Sequence, residues 1–135
     1  MRFVDTNVLL YAVSTVPDEV AKRRVALEIL DEPDLALSAQ VLQEFYVQAT
    51  RASRSDALTH DQANALVESW LRYPVQETSV TLLRNAMAAR ARWQISYWDA
   101  TIVEAARAAN CPILLSEDLQ HGMNFVGVQV VDPFA

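Results

Sequence analysis

The sequence predicts an α/β fold, a central parallel sheet of about five short strands flanked by helices. Three observations carry this. Short apolar runs alternate with longer helical segments along the whole chain, the order that builds βαβ units. The runs are continuously apolar rather than alternating, as strands covered on both faces should be. The chain has 135 residues, 52% of them hydrophobic, enough for one sizeable core and one domain over 1–135.

The elements follow in order. Phe3-Val4 reads as a first strand, and Asp5-Thr6-Asn7 supplies capping side chains before a helix opening at Val8. Asp18 is expected to cap an amphipathic helix from about Glu19 to Leu30. Leu35-Ala36-Leu37 is a second strand, and Ser38 caps a helix from about Ala39 to Ala52. Thr59 and Gln62 have capping-box spacing ahead of a helix to about Leu71. Pro74-Val75-Gln76 is a short strand. Ser79 opens a helix to about Trp93, and Ser96 one from about Tyr97 to Ala109. Ile113-Leu114-Leu115 and Val128 to Val131 complete the sheet.

Composition removes several functions. Asp and Glu number 17 against 11 Lys and Arg, a formal charge of −6. Binding nucleic acid by bulk electrostatics needs a basic excess, so action on RNA or DNA calls for a local basic patch or bound cations. The two glycines, Gly122 and Gly127, form no phosphate-cradling loop, which excludes the P-loop and dinucleotide fingerprints. The only lysine, Lys22, lies far from the C-terminus, which excludes a receiver-domain phosphoacceptor layout. A single cysteine, Cys111, allows no internal disulfide and reads as a buried helix-to-strand residue. No apolar run is long enough to span a bilayer, and Asp5 interrupts any signal-like start. The expectation is a soluble cytoplasmic protein.

In open parallel sheets, ligands bind beyond the carboxyl ends of the strands. Two acids fall there: Asp5 directly after Phe3-Val4, and Asp118 shortly after Ile113-Leu114-Leu115. Asp99 shares a helix face with Ile102, Val103 and Ala106, an unusual place for a carboxylate. Glu44 flanks the apolar stripe Val41, Leu42, Phe45, Tyr46 and Ala49. Taken singly, each acid has a plain structural account as a cap, turn or flank residue. Converged, each pair at 4 Å would repel by about 4 kcal/mol at an effective dielectric of 20. Such a cluster persists by taking up protons or by holding a cation. With oxygen donors alone, the cation is hard, Mg²⁺ or Mn²⁺, and the chemistry is phosphodiester hydrolysis.

On these residues the sequence resembles the PIN-domain nucleases, and within them the VapC-type toxins of bacterial toxin–antitoxin pairs. The resemblance rests on Val4-Asp5-Thr6-Asn7-Val8-Leu9-Leu10-Tyr11, Gln43-Glu44-Phe45, Tyr97-Trp98-Asp99-Ala100 and Leu115-Ser116-Glu117-Asp118-Leu119. Each motif alone is weak; four in order across the chain are specific. The resemblance implies a PIN-like three-layer sandwich and an endoribonuclease using metal-activated water. It implies Asp5, Glu44, Asp99 and Asp118 as catalytic residues and ligands of Mg²⁺ (or Mn²⁺), supported by Thr6 and Ser116. It also implies a VapB-type antitoxin partner and a homodimer. Many members carry threonine where Ser116 stands and a further acid where Gln120 stands, so the last motif departs from the pattern, and Glu117 has no assigned place.

Other residues have two accounts. Asn7 is expected to cap the first helix rather than touch the site. Arg51 and Arg54 are candidate substrate contacts, or ordinary cations after a helix. His121 is a candidate substrate contact, or a loop histidine. Tyr97 and Trp98 adjoin Asp99 and offer rings for stacking, but Trp98 is expected to pack in the core. Lys22-Arg23-Arg24 reads as a solvated helix face. Rival functions are a PIN nuclease of RNA processing without an antitoxin, and a PIN-like binding module without catalysis. A haloacid-dehalogenase-type phosphatase needs a second aspartate where Asn7 stands.

Overall fold

A computed structural model describes all 135 residues. Five strands, Arg2–Val4 (β1), Leu35–Ser38 (β2), Val75–Gln76 (β3), Ile113–Leu115 (β4) and Gln129–Val131 (β5), form one sheet in the order β3-β2-β1-β4-β5. Every pairing is parallel. Six helices connect them: Thr6–Ala12 (α1), Val20–Leu30 (α2), Ala39–Ala49 (α3), His60–Trp70 (α4), Val80–Trp93 (α5) and Tyr97–Ala108 (α6).

The order fixes the layers. The chain steps outward from β1 to β2 to β3, then crosses back beyond β1 to β4. Right-handed crossovers put the helices of the outward steps on one face and those of the return on the other. Accordingly α1 packs on α2 and α3, and α3 on α4, while α5 pairs with α6. The reversal occurs between β1 and β4, so the crevice at their carboxyl ends is the switch point of the sheet. There Val4 is in register with Leu115, and the Asp5 amide donates to the Leu115 carbonyl at 3.0 Å.

The strands are short, and the three central ones, β2, β1 and β4, are covered on both faces. Phe3, Val4, Leu35, Leu37, Leu114 and Leu115 have no solvent exposure. Fully burying a side chain of this kind contributes about 1.5–3 kcal/mol, which offsets the cost of ordering so little strand. Helix α6 lies deepest, with Ala100 to Ala106 all buried. Arg107, near its end, bonds Glu104 and the carbonyls of Phe125 and Val126, tying the approach to β5 onto α6.

Four hydroxyl caps stand where expected: Ser38, Thr59, Ser79 and Ser96 each accept from a backbone N–H three residues on. The Thr59–Gln62 box is reciprocal, with the Gln62 side chain accepting from the Thr59 amide at 3.0 Å. Thr59→Ala is expected to destabilise the chain by about 1 kcal/mol, read as a lower urea midpoint at unchanged m-value. Three expectations fail. Asp18 caps nothing: Pro17–Glu19 form a 3₁₀ turn, and α2 begins at Val20 without a side-chain cap. Proline favours the first turn of a helix, and it draws the start ahead of the acid. Helix α3 stops at Ala49, not Ala52, as Thr50 turns its hydroxyl back onto the Tyr46 carbonyl. Tyr46 leaves the apolar stripe and bonds His60 Nδ1 at 2.9 Å.

Candidate active site

Asp5 ends β1 and N-caps α1, accepting the Thr6 N–H at 2.7 Å. Its other oxygen accepts the Ser116 hydroxyl at 2.7 Å, across the β1–β4 switch point. Ser116 is fully buried, and its Oγ also accepts the amides of Asp118 (3.2 Å) and Leu119 (3.4 Å). One hydroxyl therefore holds the first acid and shapes the turn that carries the fourth. The Thr6 hydroxyl donates to Glu44 Oε2 at 2.8 Å, and Gln40 donates to Glu44 Oε1 at 2.9 Å. Glu44 is thus aimed from α3 toward the start of α1. Asp99 enters from the first turn of α6, its amide held by the Ser96 hydroxyl at 3.0 Å.

Asp5 and Asp99 each feel the charges of Asp118 and Glu44. Burial pushes the Asp5 carboxyl up to about 6; the bonds from Ser116 and Thr6 oppose this, and the charges of Asp118 and Glu44 reinforce it. Burial also raises the Asp99 carboxyl; the Ser96 hydroxyl opposes this, and Asp118 and Glu44 again add to it. Asp5 and Asp99 are thus both within the field of Glu44 and Asp118, two of the acids that line the neighbouring cleft. The four remain apart, however: no three acidic, histidine or cysteine side chains are near enough to hold one ion between them. The donor set is nonetheless all carboxylate oxygen, with hydroxyls bracing two of its members, and this chemistry fits a hard divalent cation.

The cleft beside these acids is lined by Thr6, Asn7, Glu44, Arg54, Glu117 and Asp118. Asn7 is not a cap. It lies inside α1, its Oδ1 receives the Glu117 amide at 3.4 Å, and its Nδ2 is buried without a partner. Arg54 borders the cleft with its Nε on Asp56 Oδ1 at 2.8 Å; Asp56 also accepts the Thr15 amide. Arg51 is exposed and makes no side-chain bond. His121 Nδ1 accepts the Asp132 amide at 2.9 Å, and His121 does not line this cleft. Trp98 is not in the core but 65% exposed. A second hollow is lined by Asn85, Arg92, Trp93, Glu104 and Arg107, and by none of the four candidate acids. Its cations are occupied, Arg107 as above and Arg92 over the Trp93 ring.

Sequence reasoning missed a clamp at the last motif. Glu117 accepts Tyr11 Oη at 2.5 Å and Lys22 Nζ at 2.7 Å, and Lys22 also reaches Tyr11 Oη at 3.2 Å. Burial works against the Glu117 charge, but bonds from Lys22 and Tyr11 outweigh it and lower its pKa. Lys22 is therefore not a free member of a solvated face. It helps pin the residue before Asp118 to α1 and α2. No local pattern announces contacts across 95 and 106 residues of chain.

The model of the PIN domain matches residues 2–122. The chain belongs to the PIN domain family. No curated protein matches it in sequence. Solved structures do match the fold of this PIN domain. A toxin–antitoxin complex from Klebsiella pneumoniae aligns with a TM-score of 0.71 and 21% identity over 98% of each chain. VapC20 of Mycobacterium tuberculosis, described as a sarcin–ricin-loop-cleaving toxin, aligns at 0.67 and 21% identity over 87% of this chain and 90% of its own. VapBC2 from Rickettsia felis, bound to a promoter DNA fragment, aligns at 0.65 and 17% identity over 96% of each. At these identities the likeness is one of fold.

Ser116→Ala tests the bracing of this site. Two amides and one carboxylate oxygen lose their partner together. The expected cost is about 1–3 kcal/mol in stability, with a 10- to 100-fold loss of metal affinity. Chemical denaturation and Mn²⁺ titration of the same variant read the two effects.

Proposed function

We propose that this PIN domain is a divalent-metal-dependent endoribonuclease and the toxin of a VapC-type pair. What supports it most is that four carboxylates from four separate segments lie in reach of one another's charge, Glu44 and Asp118 acting on both Asp5 and Asp99. Asp5, Asp99, Asp118 and Glu44 would hold Mg²⁺ or Mn²⁺, which when bound supplies Lewis acidity toward phosphate oxygens and lowers the pKa of water. The chain's own residues do the rest. Ser116 and Thr6 fix the directions of Asp5 and Glu44. Arg54, anchored through Nε, keeps its terminal N–H groups for a substrate phosphate. The Asn7 Nδ2 is an unspent donor at the same cleft. No Ser–His–Asp or Cys–His constellation competes: Cys111 is buried, His60 bonds Tyr46 and His121 bonds a backbone amide.

The toxin role draws on the relatives, several of which are toxin–antitoxin complexes. An antitoxin presenting a cation to this acidic edge would block it by charge neutralisation, and the free chain would act as a homodimer. No helix is long and apolar enough to cross a membrane, and we place the protein in the cytoplasm with its RNA substrate.

The test is cleavage of a structured RNA by purified chain in Mg²⁺, in Mn²⁺ and in EDTA. Cutting with either metal and none in EDTA is expected. Cutting that persists in EDTA, or no cutting of any RNA offered, would count against the reading.

A further inference from the structure

The chain has three tryptophans, and two are packed. Trp70 is 4% exposed with its ring edge-to-face on Phe45 at 4.8 Å, and Trp93 meets Phe125 at 5.4 Å. Trp98 is left 65% exposed, although indole is among the side chains that gain most from burial. Its backbone is not loose. The Ser96 cap fixes the first turn of α6, and the Thr101 hydroxyl donates to the Trp98 carbonyl at 2.6 Å. The Tyr97 ring stands edge-on against the indole at 5.1 Å and 77°. A large flat ring is thus held out in solvent on a rigid turn, one peptide from Asp99.

The charge of the molecule says what such a ring is for. A net charge of −6 and the carboxylates Glu44, Glu117 and Asp118 that line the cleft oppose the approach of a polyanion. Arg54 is the one cation that lines the cleft. Substrate attraction through phosphates is therefore weak, and affinity must come from contacts that do not depend on charge. Base–aromatic stacking is such a contact, and every unpaired base offers a face for it.

We infer that the exposed indole of Trp98, braced by Tyr97, stacks an unpaired nucleobase of the RNA and so seats the neighbouring phosphodiester at the acid edge. This rests on the nuclease reading and names Trp98 as a substrate-binding residue of that same site.

The experiment uses a fluorescein-labelled single-stranded decanucleotide RNA of mixed sequence. Its anisotropy is followed in EDTA with the full-length chain, Trp98→Phe and Trp98→Ala, at several salt concentrations. The same RNA is then cleaved in Mg²⁺. Trp98→Ala is expected to raise Kd and KM by about 5- to 100-fold, with kcat and thermal midpoint unchanged. Trp98→Phe is expected to fall between. The salt slope of binding should not change, because no phosphate contact is lost. Equal Kd and KM in wild type and Trp98→Ala would overturn the inference. So would a loss of affinity that comes with a change in sedimented mass, since the indole would then be a contact between subunits. Failure of the wild type to cut RNA in Mg²⁺ or Mn²⁺ is a separate result, which removes the nuclease reading itself and this inference with it.

Discussion

Asp5→Asn is expected to reduce RNA cleavage by about a thousandfold or more while leaving the fold intact. Asparagine keeps the size of the side chain and an oxygen to accept the Thr6 amide, so the α1 cap survives. What disappears is the negative charge at the centre of the acid edge. Lewis-acid stabilisation of a phosphoryl transition state amounts to several kcal/mol, and each 1.36 kcal/mol is a factor of ten in rate. The check is single-turnover cleavage with Mg²⁺ in excess, beside a circular dichroism spectrum to show that the variant is folded. Cleavage within tenfold of wild type would show that Asp5 is no part of the machinery.

The same substitution is expected to make the metal-free protein more stable at neutral pH. The Asp5 carboxyl has an ordinary value of 3.8 and stands at about 6 in the folded chain. Folding therefore takes up a proton between these values. The stabilisation tied to that proton is complete below pH about 4 and is lost as the pH rises through about 6. At pH 7 the folded chain carries the buried charge at a cost of about 3 kcal/mol. Asp5→Asn never carries it. In EDTA the variant should unfold roughly 5–10 °C above wild type at pH 7, and this gap should close toward pH 4. Taking the difference between two proteins at each pH cancels groups that titrate in both, such as Asp56, whose pKa the Thr15 amide lowers. A variant equal to or less stable than wild type at pH 7 would show that the Asp5 charge is not strained. Greater stability together with lost activity is the mark of a residue kept for function.

The sequence carried most of this architecture because the information was local. The strands were legible as short apolar runs, and four caps as hydroxyls three residues ahead of a helical amide. Asp5 and Asp118 were legible because a parallel sheet sends its ligands to the carboxyl ends of its strands. Asp99 was legible because a carboxylate on an apolar face asks for a reason. What stayed hidden was the long-range pairing. The Ser116–Asp5 bond spans 111 residues, and the Thr6–Glu44 bond 38. Glu117 had no place until Tyr11 and Lys22 closed on it. Asn7 misled because its type favours caps, while Asp5 already held that position. Trp98 misled because hydrophobicity alone assigns it to the core; it stands in the first turn of α6, ahead of the stretch Ala100 to Ala106 that is buried on every side, and is left exposed there.

The most direct test of the central claim, that these four acids form a divalent cation site, is Mn²⁺ titration followed by electron paramagnetic resonance of the free ion. Wild type, Asp5→Asn and Asp99→Asn would be compared at one pH near 7. The account predicts saturable binding by wild type and affinities at least about tenfold weaker in both variants. Equal binding by all three proteins, or no saturable binding by wild type, would contradict it.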